Sequence, residues 1–293
     1  MATGIKSSFE VHEAEFEAPD GTEIHYSVTR PAGQAQHVIV LIHGFADHGG
    51  RYRELIDHLA GHGAVVYAYD QRGNGRSGGQ RGHVMRYQEL VDELDACLKL
   101  AYAAEPGIER VIYAHSTGAV LALTYLYDHP DAADRVILSA PCLILTFEAP
   151  GAKVFIGKVF SRVLPRVTLQ AGFDPGAVSR DPAVVEANNE DELVTQAIST
   201  RFYTEVYGKA MPAALARIEA LKLPTLVIQG TGDLLVSPKV ADEFEKRVPN
   251  ATIKRYEGGY HESHNDIQRE QVFLDIDAWL SQKQYFPKSS KGM

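Results

Sequence analysis

Residues 111–128 read VIYAHSTGAVLALTYLYD. The first five positions are apolar or aromatic and begin with β-branched Val111 and Ile112, the pattern of a strand buried on both faces. From Thr117 onward the apolar positions run on at helical length. Ser116 stands at the junction. A strand that passes directly into a helix through one serine is the geometry that lifts the hydroxyl clear of a parallel sheet. Ser116 is therefore the leading candidate nucleophile, against the plainer role of capping the following helix.

The buried-strand pattern recurs on either side, at residues 37–42 (HVIVLI), 65–70 (VVYAYD), 136–140 (VILSA), 225–230 (TLVIQG) and, more weakly, 252–256. Helical stretches near 51–61, 87–104, 117–128, 238–247 and 268–283 alternate with them. Two extended runs, 9–16 and 22–29, flank Pro19-Asp20-Gly21 and predict a hairpin. Together these elements predict an α/β fold: a mostly parallel eight-stranded sheet with helices on both faces. Residues 143–215 break the alternation. They carry no strand pattern, and prolines at 165, 175, 182 and 212 split their helical fragments. Too long for a connection, the stretch reads as an inserted helical cap, or lid. The expected division is core 1–142, cap 143–215 and core 216–293.

Composition narrows the classes. The 293 residues carry 29 Lys+Arg against 38 Asp+Glu, a net charge of −9, which leaves no broad basic surface for nucleic acid. Cys97 and Cys142 lie in separate apolar contexts and suggest neither a disulfide framework nor a zinc cluster. The opening residues are polar and acidic, unlike a signal peptide, and no apolar run approaches the roughly 18 residues of a membrane span. A soluble, cytoplasmic protein is expected. His261-Glu262-Ser263-His264 falls one residue short of H-E-x-x-H. Gly73-Asn74-Gly75 lacks the lysine and strand–helix frame of a phosphate loop. No metal and no cofactor are expected; the oligomeric state is not readable.

One segment matches G-x-S-x-G perfectly, Gly75-Arg76-Ser77-Gly78-Gly79, but loop precedes and follows it, so Ser77 is a decoy. Ser116 has an imperfect match, Ala114-His115-Ser116-Thr117-Gly118, in the right context. A serine nucleophile needs a base and a group to orient that base. Asp233 directly follows the strand at 225–230, and sites form at the carboxyl ends of parallel strands. His261 follows the last strand through Glu257-Gly258-Gly259-Tyr260. His264 is the other histidine downstream of Asp233, but His261 is the better placed. The order serine, aspartate, histidine is that of the α/β-hydrolases. Backbone N–H groups of Phe45, in the loop after residues 37–42, and of Thr117 are the expected oxyanion donors. His43 is read as structural, holding that loop.

Three blocks resemble the monoacylglycerol lipase and lysophospholipase group of α/β-hydrolases, which is grouped with serine aminopeptidase-like proteins. Residues 43–52 (HGFADHGGRY) resemble the HG…EH…RY oxyanion segment, with Asp47 where glutamate is usual. Residues 70–77 (DQRGNGRS), with Arg81-Gly82-His83, resemble D-x-R-G-x-G-x-S…R-G-H, where the serine belongs to a structural turn. Residues 256–262 (YEGGYHE) resemble the loop of the catalytic histidine. The likeness runs from about residue 10 to 282. Ser179-Arg180-Asp181-Pro182 and Asp191-Glu192-Leu193-Val194 extend it into the cap, with Glu192 where proline is common. The group's elbow normally reads G-H-S-M-G-G, and some monoacylglycerol lipases carry a cap tyrosine near Asn188.

The resemblance implies acyl-enzyme chemistry by Ser116, His261 and Asp233 on lipid-like monoesters. It also implies a lidded apolar acyl pocket, with Phe155, Ile156, Val159, Phe160 and Asn188 as expected substrate contacts. The partner is then a small-molecule ester with an acyl chain. Lysophospholipase and general carboxylesterase remain alternatives. A peptidase would need Glu186, Glu190, Asp191 and Glu192 to grip an α-amino group, and a non-enzymatic binding module would normally have lost part of the triad. Residues 152–166 predict a basic amphipathic helix that roofs the pocket or makes transient contact with an anionic membrane surface.

Overall fold

Period-two burial sets the centre of the fold. In the computed structural model, which describes residues 9–147 and 151–282 and the side chains of all of these but 152–156, β3 (His37–Ile42) lies between β4 (Ala64–Tyr69) and β5 (Glu109–His115). Both pairings are parallel and set Val40 opposite Tyr67 and Ile112. Val38, Val40 and Ile42 point into one hydrophobic cluster, and Ile39 and Leu41 into another on the opposite face. A strand buried on both faces reads as one continuous apolar run, which is why β3 was legible.

The sheet has eight strands in the order β1-β2-β4-β3-β5-β6-β9-β10, adding β1 (Val11–Glu17), β2 (Glu23–Thr29), β6 (Arg135–Ser139), β9 (Thr225–Gly230) and β10 (Ala251–Tyr256). Only β2 runs against the others. Its hairpin with β1 turns through Gly21, at φ +84°, and closes with an Ala18 N–H to Thr22 carbonyl bond of 2.8 Å. One face is covered by α1 (Arg53–Gly61) and α9 (Arg269–Leu280), which bury Leu55, Ile56, Val272, Ile276 and Trp279. The other is covered by α2 (Tyr87–Ala104), α3 (Thr117–Asp128) and α8 (Lys239–Arg247), through Leu94, Val120 and Phe244 among others. Among the described residues no helix is long and apolar enough to cross a membrane.

Between β6 and β9 the chain leaves the sheet. It forms α4 (Gly151–Val163), β7 (Thr168–Gln170), α5 (Pro182–Glu190), β8 (Ala197–Ser199), α6 (Thr200–Glu205) and α7 (Met211–Ala216), with a π turn at Val206–Ala210. The expectation of a strand-free segment needs correction, because β7 and β8 pair antiparallel with Leu169 opposite Ile198. Three-residue strands are too short to show alternation, and only the tertiary fold brings them together. The first cap helix also stops at Val163 rather than reaching 166. Pro165 disfavours helix in the residue before it and offers no N–H to continue the ladder. α5 begins as its sequence suggests: Asp181 accepts from the Ala183 N–H at 3.1 Å, and Pro182 occupies the first turn.

Candidate active site

Ser116 occupies the sharp turn between β5 and α3, with φ +53° and ψ −118°. That conformation is costly for a residue with a Cβ and persists only where its surroundings enforce it. Here the Ser116 N–H donates to the Ser139 carbonyl at 2.9 Å, and the Ser116 carbonyl accepts from Ala119 and Cys142 at 3.0 and 3.1 Å. Glycine is required at 118, since a Cβ there would lie 2.4 Å from the His43 carbonyl oxygen. Gly44 also brings the β3 loop close, and a Cβ on it would lie 3.1 Å from Ser116 Cβ. Ala114 is fully buried within β5, where its methyl is accommodated in place of the motif's first glycine.

His261 Nε2 lies 3.0 Å from Ser116 Oγ, and His261 Nδ1 lies 2.8 Å from Asp233 Oδ2. A carboxylate only accepts, so Nδ1 carries the hydrogen and Nε2 faces the serine hydroxyl as an acceptor. Asp233 is oriented in turn: Oδ1 accepts from the Leu235 and Val236 N–H groups at 2.9 Å each, and Oδ2 from Gln229 Nε2 at 3.2 Å. Burial pushes the Asp233 carboxyl up, but the His261 charge and these N–H bonds outweigh it and hold it below the ordinary carboxylate value. Burial pushes His261 down; Asp233 overcomes this and raises it above the ordinary histidine value.

Two other histidines nearby are held in different contacts. His264 stacks on Tyr52 at 4.4 Å, and burial depresses it to about 4. His43 donates from Nδ1 to the Gly44 carbonyl at 2.7 Å and accepts from the Gln71 N–H at 2.9 Å, bracing the loop before Phe45. Ser77 is buried in its turn, accepting from the His25 N–H at 2.9 Å and donating to the Asp70 carbonyl.

The tertiary structure also supplies groups that sequence reasoning did not assign. Arg51 forms a two-pronged pair with Glu262, at 2.7 and 2.8 Å, and reaches Asp47 at 3.1 Å. Glu262 adjoins His261, so this buried pair ties the histidine loop to the oxyanion loop. A charged residue beside the histidine was visible in the sequence, but its partner lies 211 positions away. His48 Nε2 meets Asp191 Oδ2 at 2.9 Å and links the oxyanion loop to the cap. The Cys142 side chain lies beside Ser116.

A cavity of 80 Å³ opens at Ser116 and His261, with Phe45, Cys142, Asn188 and Leu235 among its walls. Leu145, Phe173 and Tyr207 are shared with a larger, mainly apolar cavity of 340 Å³ under the cap, which reaches Leu169, Ile198 and Tyr203. Of the expected substrate contacts, Asn188 lines the first cavity. Val159 and Phe160 do not line either one: they are exposed, because α4 packs on α6 and turns these residues outward. The side chains of Phe155 and Ile156 lie outside the described residues. Phe45 is half-buried, its ring 5.3 Å from Phe202 and 5.9 Å from Phe173 of the cap, while Thr117 is the first residue of α3. Among the described residues, the one grouping of His, Cys, Asp or Glu close enough to share a metal is His58, His62 and Asp277, remote from Ser116.

The eight-stranded sheet and a strained serine in contact with a histidine–aspartate pair define an α/β-hydrolase. Residues 33–268 match the sequence profile of the Hydrolase_4 family, described as serine aminopeptidase, S33, and the chain belongs to that family. It is 31% identical over 273 residues to the monoacylglycerol lipase of Mycolicibacterium smegmatis, a match spanning 92% of this chain and 96% of the relative. It is also 31% identical to Bacillus subtilis phospholipase YtpA, over 84% of this chain and 95% of the other. The crystal structure of Paleococcus ferrophilus monoacylglycerol lipase superposes with a TM-score of 0.77 at 31% identity, covering 92% of this chain and 98% of that one.

Proposed function

We propose that the protein is a serine carboxylester hydrolase acting on monoacylglycerol-like lipids. The observation that carries this reading is the connected Ser116–His261–Asp233 chain opening directly onto an apolar cavity system. Ser116 Oγ attacks the ester carbonyl while His261 Nε2 takes its proton, and Asp233 steadies the resulting imidazolium. The oxyanion is held by the N–H groups of Phe45 and Thr117. Thr117 opens α3, so its N–H has no intrahelical acceptor and lies at the positive end of the helix dipole. His261 then protonates the departing glycerol oxygen, and water releases the acyl group from Ser116 by the same steps in reverse. No step calls for a metal or cofactor.

The acyl chain passes Leu145, Phe173 and Tyr207 into the larger cavity, and Asn188 faces the head group. Glu186, Glu190, Asp191 and Glu192 are absent from the cavity at Ser116, and Asp191 is engaged by His48. The acidic cluster a peptidase would use therefore does not line the cavity at Ser116, which favours the ester reading. A cytoplasmic location fits the two buried unpaired thiols, Cys97 and Cys142. Each methylene buried from water adds about 0.8 kcal/mol of binding, so kcat/KM for monoacylglycerols rises from acetyl through medium-chain esters. A chain-length series, run beside lysophospholipids and simple alkyl esters, tests this. A preference for acetyl esters contradicts the assigned acyl path, and inertness toward every ester contradicts the activity itself.

A further inference from the structure

Three side chains converge at the end of the sheet opposite Ser116, where the parallel strands begin. α1 ends just before the first residue of β4, whereas Ser116 follows the last residue of β5. His58 lies in the last turn of α1 and His62 at its C-terminal cap, one helical turn apart on one face, with ring centroids 4.2 Å apart. Asp277, from α9, faces both. His58 Nε2 is 2.6 Å and His62 Nε2 3.6 Å from the same oxygen, Asp277 Oδ2. The three ligand atoms lie within 4.8 Å of one another.

The hydrogens leave one contact unsatisfied. His62 Nδ1 is 2.8 Å from the His58 carbonyl oxygen, which only accepts, so Nδ1 carries the hydrogen. In the neutral ring Nε2 is then a bare lone pair, and it faces a carboxylate oxygen that is also an acceptor. A cation between them removes that conflict. A backbone carbonyl fixing one ring nitrogen while the other points at a metal is how histidine ligands are commonly oriented. The second carboxylate oxygen, Asp277 Oδ1, is buried without a hydrogen-bond partner among the described residues.

We propose that His58, His62 and Asp277 bind a divalent transition metal, with zinc the best match, as a structural pin between α1 and α9. Two imidazoles and a carboxylate suit zinc. With bonds near 2.0–2.2 Å, tetrahedral donors lie about 3.3–3.6 Å apart. His62 and Asp277 already stand close to that separation. His58 moves away from Asp277 by less than an ångström as its ring hydrogen shifts from Nε2 to Nδ1 by exchange with solvent, which leaves a neutral ring whose Nε2 lone pair faces the metal. His62, with 55% of its side chain exposed, leaves room for water to complete the coordination shell. The distance from Ser116 assigns the metal to the fold and not to ester hydrolysis.

The test uses untagged protein freed of metal by chelation. Zinc chloride is expected to raise the thermal midpoint, isothermal titration to detect stoichiometric binding, and cobalt(II) to produce visible ligand-field bands. His62→Gln and Asp277→Asn each weaken zinc binding at least about tenfold and abolish the thermal shift. Their hydrolysis of a short-chain ester without metal stays at the wild-type rate, which establishes that the fold is intact. A wild-type midpoint unmoved by zinc, or wild-type zinc affinity in either variant, overturns the proposal.

Discussion

Ser77 and Ser116 carry the same hydroxyl in opposite circumstances. Ser77 spends its hydrogen-bonding capacity on the backbone of its own turn and of β2. Ser116 Oγ has a histidine nitrogen 3.0 Å away and an open cavity in front. Ser116→Ala should lower kcat on the order of 10⁶-fold, as loss of a triad serine does. Ser77→Ala should keep kcat but cost about 1–3 kcal/mol of stability, because buried backbone groups lose their partner. Steady-state kinetics and urea unfolding of the matched pair check both, and the reverse pattern would remove Ser116 from the mechanism. On the proposed mechanism the pH profile belongs to His261. Only the neutral ring accepts the serine proton, so kcat/KM falls as pH drops through the His261 titration, which Asp233 holds above the ordinary 6.5. Asp233→Asn removes that charge. The inflection then moves to lower pH, and kcat drops about 10⁴-fold. An inflection that stays in place in the variant would mean that another group sets the profile.

At the scale of the element, the cap combines two surfaces. Its inner side closes the larger cavity through Leu169, Phe173, Ile198 and Tyr203. Its outer side leaves Val159, Phe160, Val163 and Leu164 exposed, Val163 by 70%, among the exposed cations Lys158, Arg162 and Arg166. Apolar side chains interleaved with cations suit an anionic lipid surface, where each cation near the surface contributes about 1 kcal/mol. The overall charge of −9 opposes adsorption, so any contact is expected to be transient and to weaken with salt. Wild-type protein should co-sediment with anionic vesicles at low salt, and Val163→Asp combined with Arg162→Gln should release it. If both proteins remain in the supernatant, the outer face has no membrane role. Sequence patterning set Val159 and Phe160 toward the substrate, whereas both are exposed. The helix was readable from spacing, while the side it buries depends on α6, which packs on it.

For the molecule as a whole, the buried Arg51–Glu262–Asp47 cluster joins the loops after β3 and β10 beneath the site. Burial pushes Glu262 up, and Arg51 more than reverses it, holding the carboxyl at about 2. A depressed carboxylate contributes stability above its unfolded value of about 4.3, and that contribution is lost as pH falls toward 2. Arg51→Met strands two buried carboxylates and should cost about 3–5 kcal/mol at neutral pH, read by urea unfolding. A loss under about 1 kcal/mol would place the cluster in the range of an exposed pair. What the sequence alone determined is what short-range patterning encodes. The buried strands, the helices between them and the serine turn were legible because parallel strands covered on both faces are uniformly apolar, and because an elbow needs a strand before it and a helix after. Asp233 and His261 were legible because both lie just beyond strand ends, where the topology gathers such groups. The β7–β8 pair, the outward face of α4, the Arg51–Glu262 clamp, the His48–Asp191 link and the His58–His62–Asp277 cluster were decided only by the tertiary structure. Each depends on groups far apart in the chain whose meeting leaves no local periodicity, and burial or charge at one member does not specify its partner.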